Sequence, residues 1–147
     1  MEIRSLREAD SQAISTWRYP GRYATYDVGD VARDADASWA VWDAGELVGH
    51  CCFGAEARVP GVDEEDGTVD VGYGMRPDLV GQGLGRAFVS AILDFAVAEF
   101  SPRQLRLLIL GWNERSRKVA QALGFEIERT VQSVEGEFFV LVRPAKS

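Results

Sequence analysis

The stretch from Asp70 to Arg86, DVGYGMRPDLVGQGLGR, constrains the chain more than any other. It leaves a strand-like segment, passes a proline, and enters a long amphipathic segment through glycines at 81, 83 and 85. Those glycines let backbone approach a ligand closely, and the helix start beyond them offers unpaired N–H groups and the positive end of a macrodipole. The chemistry is anion binding, with a phosphate as the natural guest. Glycines also serve turns and close packing, so the loop has to be read in context. It is not a P-loop, which would end in Gly-Lys-Ser/Thr where this one ends Gly85-Arg86-Ala87. Nor is it G-x-G-x-x-G, because Arg86 follows the pair 81 and 83 at the third glycine position and Phe88 follows 83 and 85. Nucleotide hydrolysis and hydride transfer fall away.

The flanking pattern supplies the context. Glu2 to Leu6 reads as a strand, and Asp10 as the N-cap of a helix carrying Ala13, Ile14 and Trp17. Arg18 to Val28 interleaves Tyr19, Tyr23 and Tyr26 with Pro20 and Gly21, which fits a loop or short helices. Trp39 to Trp42 and Leu47 to Phe53 form a hairpin across Asp43-Ala44-Gly45-Glu46, and Thr68 to Met75 a fourth strand. Ala55 to Gly67, with the acidic run Asp63 to Asp66, reads as a mobile surface loop. From Gly83 to Phe100 the apolar positions Leu84, Phe88, Ala91, Ile92 and Phe95 share one helical face. Gln104 to Leu110 is an apolar strand, Asn113 an N-cap, Gly124 a helix end, and Phe125 to Val134 with Glu137 to Val142 a closing hairpin. The order is β-α-(α)-β-β-β-α-β-α-β-β. It predicts an α/β (α+β) fold in one domain, residues 1–147, with a mixed, mostly antiparallel sheet flanked by helices.

Composition narrows the function. Of 147 residues 46% are hydrophobic and 27% charged, which fits a soluble globular domain. The formal net charge is −7, with 6 basic and 15 acidic residues up to Met75 and 10 and 8 after it, so the halves carry −9 and +2. An acidic chain without a run of Lys or Arg lacks the footprint of a nucleic-acid binder. No apolar stretch approaches the roughly 20 residues that span a bilayer, and Met1-Glu2-Ile3-Arg4 opens no signal peptide, so a cytoplasmic protein without a membrane partner is expected. Cys51 and Cys52 are neighbours and the chain has a single histidine, so no metal-ligand spacing arises. His50 to Cys52 reads as packed strand in preference to a catalytic dyad.

Strand, proline, spaced glycines, long helix, strand, then Asn113 to Gly124-Phe125: this arrangement resembles the GNAT superfamily of acyl-CoA-dependent N-acetyltransferases, most strongly over Asp70 to Phe125. The family's Q/R-x-x-G-x-G/A loop falls on Val80, Gly81, Gln82, Gly83, Leu84 and Gly85. Both glycines match, Val80 replaces the Gln/Arg in a position that contributes mainly backbone, and Arg86 is a substitute source of positive charge. The second motif runs from Asn113-Glu114-Arg115-Ser116 to Leu123-Gly124-Phe125, with Ser116 where Ala is usual and Ala120 where a Tyr general acid is frequent.

The resemblance implies splayed strands around the site of acetyl-CoA, the expected co-substrate, with pantetheine between Asp70 to Met75 and Gln104 to Leu110. No metal is implied. Cofactor contacts are then expected from Met75, Arg76, Val80, Gly81, Gln82, Gly83, Leu84, Gly85, Arg86, Asn113, Ser116 and Arg117, with Arg115 and Lys118 in the same cationic cluster. A backbone N–H near Met75 would polarise the thioester carbonyl. Asp70 is the expected general base, against the alternative of an ion-paired strand-end carboxylate. With Ala120 in place of Tyr, Ser116 and Tyr73 are the acids to weigh, against ordinary structural roles. Trp17, Tyr19, Tyr23 and Tyr26 are the expected acceptor-binding residues, and Trp39 and Trp42 are read as sheet packing.

Two functions follow. One is transfer of an acetyl group directly from acetyl-CoA to a primary amine of a small molecule or peptide, a cationic one if the acidic half forms the acceptor mouth. The other is an acyl-CoA-binding sensor or regulatory module that has lost catalysis, which Ala120 favours. Self-association as a homodimer is left open by the sequence.

Overall fold

The computed structural model describes residues 1–28 and 38–146. Its strands are β1 (Glu2–Ser5), β2 (Ser38–Asp43), β3 (Glu46–Phe53), β4 (Thr68–Met75), β5 (Gln104–Leu110), β6 (Glu126–Ser133) and β7 (Gly136–Pro144). They form one sheet in the order β1-β2-β3-β4-β5-β7-β6. Among the described residues only β4 and β5 pair in parallel, so the mixed, mostly antiparallel α/β architecture is as the sequence indicates. Among the described residues three α-helices flank it: α1 (Glu8–Ser15), α2 (Gly85–Phe100) and α3 (Glu114–Ala122). Tyr23 and Tyr26 fall in a 3-10 helix, Gly21–Tyr26.

The main core lies between the sheet and α2, where Phe88, Val89, Ile92, Leu93 and Ala96 pack on Val41, Cys51, Val71, Leu105 and Leu107. The buried stripe of α2 is turned from the expected one: Leu84 is 38% exposed, Val89 and Leu93 are buried, and Phe95 packs sideways on Trp39 and Phe53. Helix α1 covers the other face through Ile14, with Leu6 and Ala40. Asp10 is not its N-cap. Arg7 holds that place, and the buried Asp10 carboxylate accepts the Arg7 N–H at 2.9 Å from one turn inside the helix. Asn113 does cap α3, accepting from the Ser116 N–H at 3.2 Å. Burial pushes the Cys51 thiol up, and the strand alternation places Cys51 and Cys52 on opposite faces.

The feature that positions the site is the short length of the parallel pairing. Only Thr68, Val69 and Asp70 pair with Gln104, Leu105 and Arg106, although both strands continue. The Arg76 N–H donates to the Val48 carbonyl, so Val48 and Arg76 form a hydrogen-bonded antiparallel pair. With the unbroken β3/β4 register, alternation turns the backbone groups of Tyr73 and Met75 away from β3 and toward β5. On β5, the Gly111 N–H bond to the Glu137 carbonyl fixes the same alternation against β7 and turns Leu108 toward β4. The two strands diverge with strand edges facing each other across the gap.

Candidate active site

A cavity of about 480 Å³ fills this gap and passes from one face of the sheet to the other. On the α2 side it is lined by Tyr73, Phe88, Val119 and Ser116, with Gly81, Gly83 and Gly85 at its end. On the other side it meets His50, Gly72, Gly74 and the rings of Tyr19, Tyr23 and Tyr26.

The glycine loop is built to accept an anion. Gly81 and Gly83 have φ of +82° and +78°, a left-handed backbone that glycine adopts without penalty, and a Cβ on either would enter open space. The residue before α2, Leu84, caps nothing with its side chain. From Gly81 through Ala87 no backbone N–H makes a hydrogen bond among the described residues. These donors converge with the helix dipole where a phosphate would sit. Gly85 lets α2 approach α3, since a Cβ there would be 3.2 Å from Val119. The donor set fits the pyrophosphate of a coenzyme A thioester, and the facing edges of β4 and β5 fit its pantetheine amides.

Tyr73 projects into this half of the cavity, edge-on to Phe88 with centroids 6.1 Å apart. Its hydroxyl is buried and has no hydrogen-bond partner among the described residues. Burial pushes the phenol up to about 12, and the nearby Ser116 side chain draws it back in part without a formed hydrogen bond. An orphaned buried hydroxyl is costly, so it marks a place where a polar group of a ligand belongs.

The tyrosine helix closes the other half. Tyr26 accepts a hydrogen bond from the Asn113 side-chain amide at 2.9 Å, and burial raises its phenol. The Tyr19 hydroxyl donates to the Met75 carbonyl. Tyr23 and Tyr26 pack on Trp112 with centroids 5.1 and 5.9 Å away. Two guanidinium groups already lie on these rings, Arg22 on Trp112 at 4.2 Å and Arg115 on Tyr23 at 5.1 Å. Arg115 is the one arginine or lysine among the described lining residues, and no carboxylate is among them.

Several of the expected residues stand outside the cavity lining. Asp70 does not line the cavity. It is 1% exposed and its carboxylate accepts from Arg106 at 2.6 and 3.1 Å and from Arg58 at 3.0 Å, the ion-paired alternative named above. Arg106 is held protonated chiefly by that hydrogen bond. Arg76 is paired with Asp78 at 2.6 Å and bonds the Leu47 carbonyl, Lys118 is paired with Glu114, and Arg117 bonds the Gly111 carbonyl beside Phe139. None of these lines the cavity, nor do Gln82, Leu84 and Arg86, although their loop backbone forms its end. Trp17 stands one layer behind, its ring 6.1 Å from that of His50. Met75, Val80, Gly81, Gly83, Gly85, Asn113, Ser116, Tyr73, Tyr19, Tyr23 and Tyr26 are brought together. The acidic run does not line the cavity. Glu65 bonds Thr68 and Gln104 at the closed end of the β4/β5 pair, and about 23 Å of strand separates Thr68 from Met75.

The sequence reading missed two contributions: Trp112, which anchors the tyrosines, and His50, which reaches the cavity. The signal for His50 was the alternation Gly72-Tyr73-Gly74, because glycines on one face of a strand mark a close approach by a neighbour.

A domain model described as an acetyltransferase (GNAT) domain matches residues 2–126. The chain belongs to the GNAT acetyltransferase family. Solved structures agree with the fold. Aminoglycoside acetyltransferase AAC(6')-Ib in complex with coenzyme A and kanamycin superposes with a TM-score of 0.78 at 18% identity, covering 97% of this chain and 93% of its own. A spermidine N-acetyltransferase SpeG chimera from Vibrio cholerae and hSSAT gives 0.72 at 14% identity, over 98% and 95%. Ribosomal-protein-S5-alanine acetyltransferase from Vibrio fischeri gives 0.70 at 17%, over 99% and 93%. No curated protein sequence is significantly similar to the chain. This GNAT chain has no helix among the described residues long and apolar enough to cross a membrane.

Proposed function

We propose that the chain is an N-acetyltransferase that moves an acetyl group directly from acetyl-CoA to a primary amine of a small molecule or peptide. The observation that carries this reading is the cavity running through the β4/β5 gap, with unpaired N–H donors from Gly81 through Ala87 at one end and an aromatic chamber at the other. Acetyl-CoA and an acceptor entering from opposite faces meet beside Met75. There the backbone N–H turned into the gap hydrogen-bonds the thioester carbonyl as negative charge develops on its oxygen.

Tyr73 serves the leaving sulfur. A phenol at about 12 stays protonated, and full proton transfer to a thiolate of roughly 8.5 would be uphill by about 5 kcal/mol. Its role is therefore hydrogen-bond donation to the sulfur as the C–S bond breaks. Ser116, beside it, completes the polar patch. The named acceptors of the three solved relatives, an aminoglycoside, spermidine and a protein alanine, are all amines. The described lining, with no carboxylate and with Arg115 over Tyr23, supports a compact amine over a polycation.

The sensor reading rests on one observation. Ala120 is fully buried where the family's helix tyrosine is frequent, so α3 supplies no phenol. Thiol release from acetyl-CoA across a panel of primary amines decides between the two. We expect turnover with compact primary amines; tight acetyl-CoA binding with no turnover on any amine favours the sensor.

A further inference from the structure

His50 pairs with Gly74 across the β3/β4 ladder, so its imidazole projects on the face opposite Tyr73 and Phe88. The ring lies over the glycine itself: a Cβ on Gly74 would fall 2.5 Å from Nε2 and 2.9 Å from Cε1. The absent side chain is thus the space the imidazole occupies. Trp17 flanks the ring from the end of α1. The imidazole lines the same cavity as Tyr73 and Met75 and is one residue along the strand from the Met75 N–H. It faces the acceptor side of the gap.

Amine acetylation requires a proton acceptor at that point, because an alkylammonium with a pKa of about 10.4 has no lone pair to attack with. Among the described residues, the other groups facing this half of the cavity are Tyr19, Tyr23 and Tyr26 from the tyrosine segment and Arg115 from α3. Cys52 lies on the His50 face of β3, and Arg18 beside Trp17 is bonded to the Ser15 and Trp17 carbonyls. Phenols and guanidinium groups hold their protons at neutral pH. Asp70, on the same face as Gly74, is about 13 Å back along β4 and closed off by Arg58 and Arg106.

We propose that His50 is the catalytic base. The proposal rests on the acetyltransferase reading and deepens it. The neutral imidazole takes a proton from the amine nitrogen as the N–C bond forms. The C–S bond breaks with its electron pair leaving on sulfur, beside the Tyr73 hydroxyl. The imidazolium then returns the same proton to the sulfur through the shared cavity, so the products are the amide and the thiol and His50 ends neutral.

The test is steady-state kinetics of the whole chain between pH 5 and 9 with acetyl-CoA and an amine found in the panel. Wild type, His50→Gln and His50→Ala are compared, the last with and without added imidazole, and acetyl-CoA affinity is measured by calorimetry. Both variants should lose about 10²- to 10⁴-fold in kcat/KM for the amine while keeping acetyl-CoA affinity within about threefold. The wild-type profile should carry an acid limb that vanishes in both, and imidazole should restore part of the His50→Ala rate. A His50→Gln enzyme with the wild-type rate and the wild-type acid limb overturns the proposal and leaves the acetyltransferase reading standing. Loss of acetyl-CoA binding together with the rate, without imidazole rescue, assigns a structural role and also overturns it. A wild-type protein that binds acetyl-CoA and acetylates no amine overturns both.

Discussion

Asp70→Asn separates a carboxylate that builds the site from one that reacts in it. In the wild type Asp70 holds the last rung of the parallel β4/β5 pairing, opposite Arg106, just before the strands part. Its oxygens accept from Arg106 at 2.6 and 3.1 Å, and Arg106 is 3% exposed. Neutralising the carboxylate leaves that guanidinium buried without a counter-charge, since its other bond, 2.7 Å to the Asp63 carbonyl, carries no net charge. Removing one partner of a buried pair costs about 3–5 kcal/mol. Asparagine preserves the shape and one acceptor oxygen, and Arg58 is 19% exposed and can be hydrated, so the lower end, about 3 kcal/mol, applies. At about 2–4 °C per kcal/mol for a chain of this size, Tm should fall by about 6–12 °C. The assay is a thermal melt with urea titration, alongside turnover of an accepted amine well below the variant's melting point. Turnover there should stay within about threefold of wild type, because Asp70 touches neither reactant. An unchanged Tm with turnover reduced a hundredfold would refute the reasoning and return the proton to Asp70.

Three further outcomes test the rest of the site. Tyr73→Phe removes a buried hydroxyl that has no partner, so Tm should hold or rise by a few degrees while kcat falls about 10- to 100-fold; a drop in both would make Tyr73 structural. Because burial raises the Tyr73 phenol to about 12, the unfolded chain ionises first as pH rises from about 10, and wild type should lose stability relative to Tyr73→Phe between about pH 10 and 12 in alkaline melts. Gly83→Glu forces a side chain onto a φ of +78° and sets a negative charge among the N–H donors, so acetyl-CoA binding by calorimetry should weaken more than a hundredfold; retained affinity would misplace the phosphate. Asp63→Asn, Glu64→Gln, Glu65→Gln and Asp66→Asn together should leave the KM for a cationic amine unchanged at low salt, because that loop lies at the closed end of β4/β5; a marked rise would restore it to the acceptor mouth.

Local signals in the sequence carried far, and long-range ones did not. Thr68 to Met75 and Gln104 to Leu110 are strands within their expected bounds, and Asn113 caps α3, because alternation and capping are decided by neighbours a few residues away. The ion pairing of Asp70 was not legible, for the opposite reason. Its partners Arg58 and Arg106 are set by loop packing and by a ladder joining strands 36 residues apart, and no pattern within β4 distinguishes a paired carboxylate from a free one. The place of the acidic run was no more legible. Counting charges along the chain says nothing of where Asp63 to Asp66 fold, and they fold at the end of the sheet remote from the cavity.

In the proposed mechanism, the alternation of β4 explains why Ala120 need not cost the chain a leaving-group donor. Val71, Tyr73 and Met75 face α2, while Gly72 and Gly74 face His50 and the tyrosines, so one strand presents a phenol to the thioester side and bare backbone to the acceptor side. Ser116, beside the Tyr73 hydroxyl, is one turn before Ala120 on α3. Ala120 is fully buried in the same core that Tyr73 packs against, so a phenol from the helix and a phenol from the strand would compete for this volume. Placing the donor on β4 ties it to the rigid ladder with β3, in register with Cys51 and next to the Gly74–His50 pair. The proposed donor and the proposed base are then on adjacent rungs of one ladder, on opposite faces. Their separation is fixed by strand geometry and does not depend on how α3 docks.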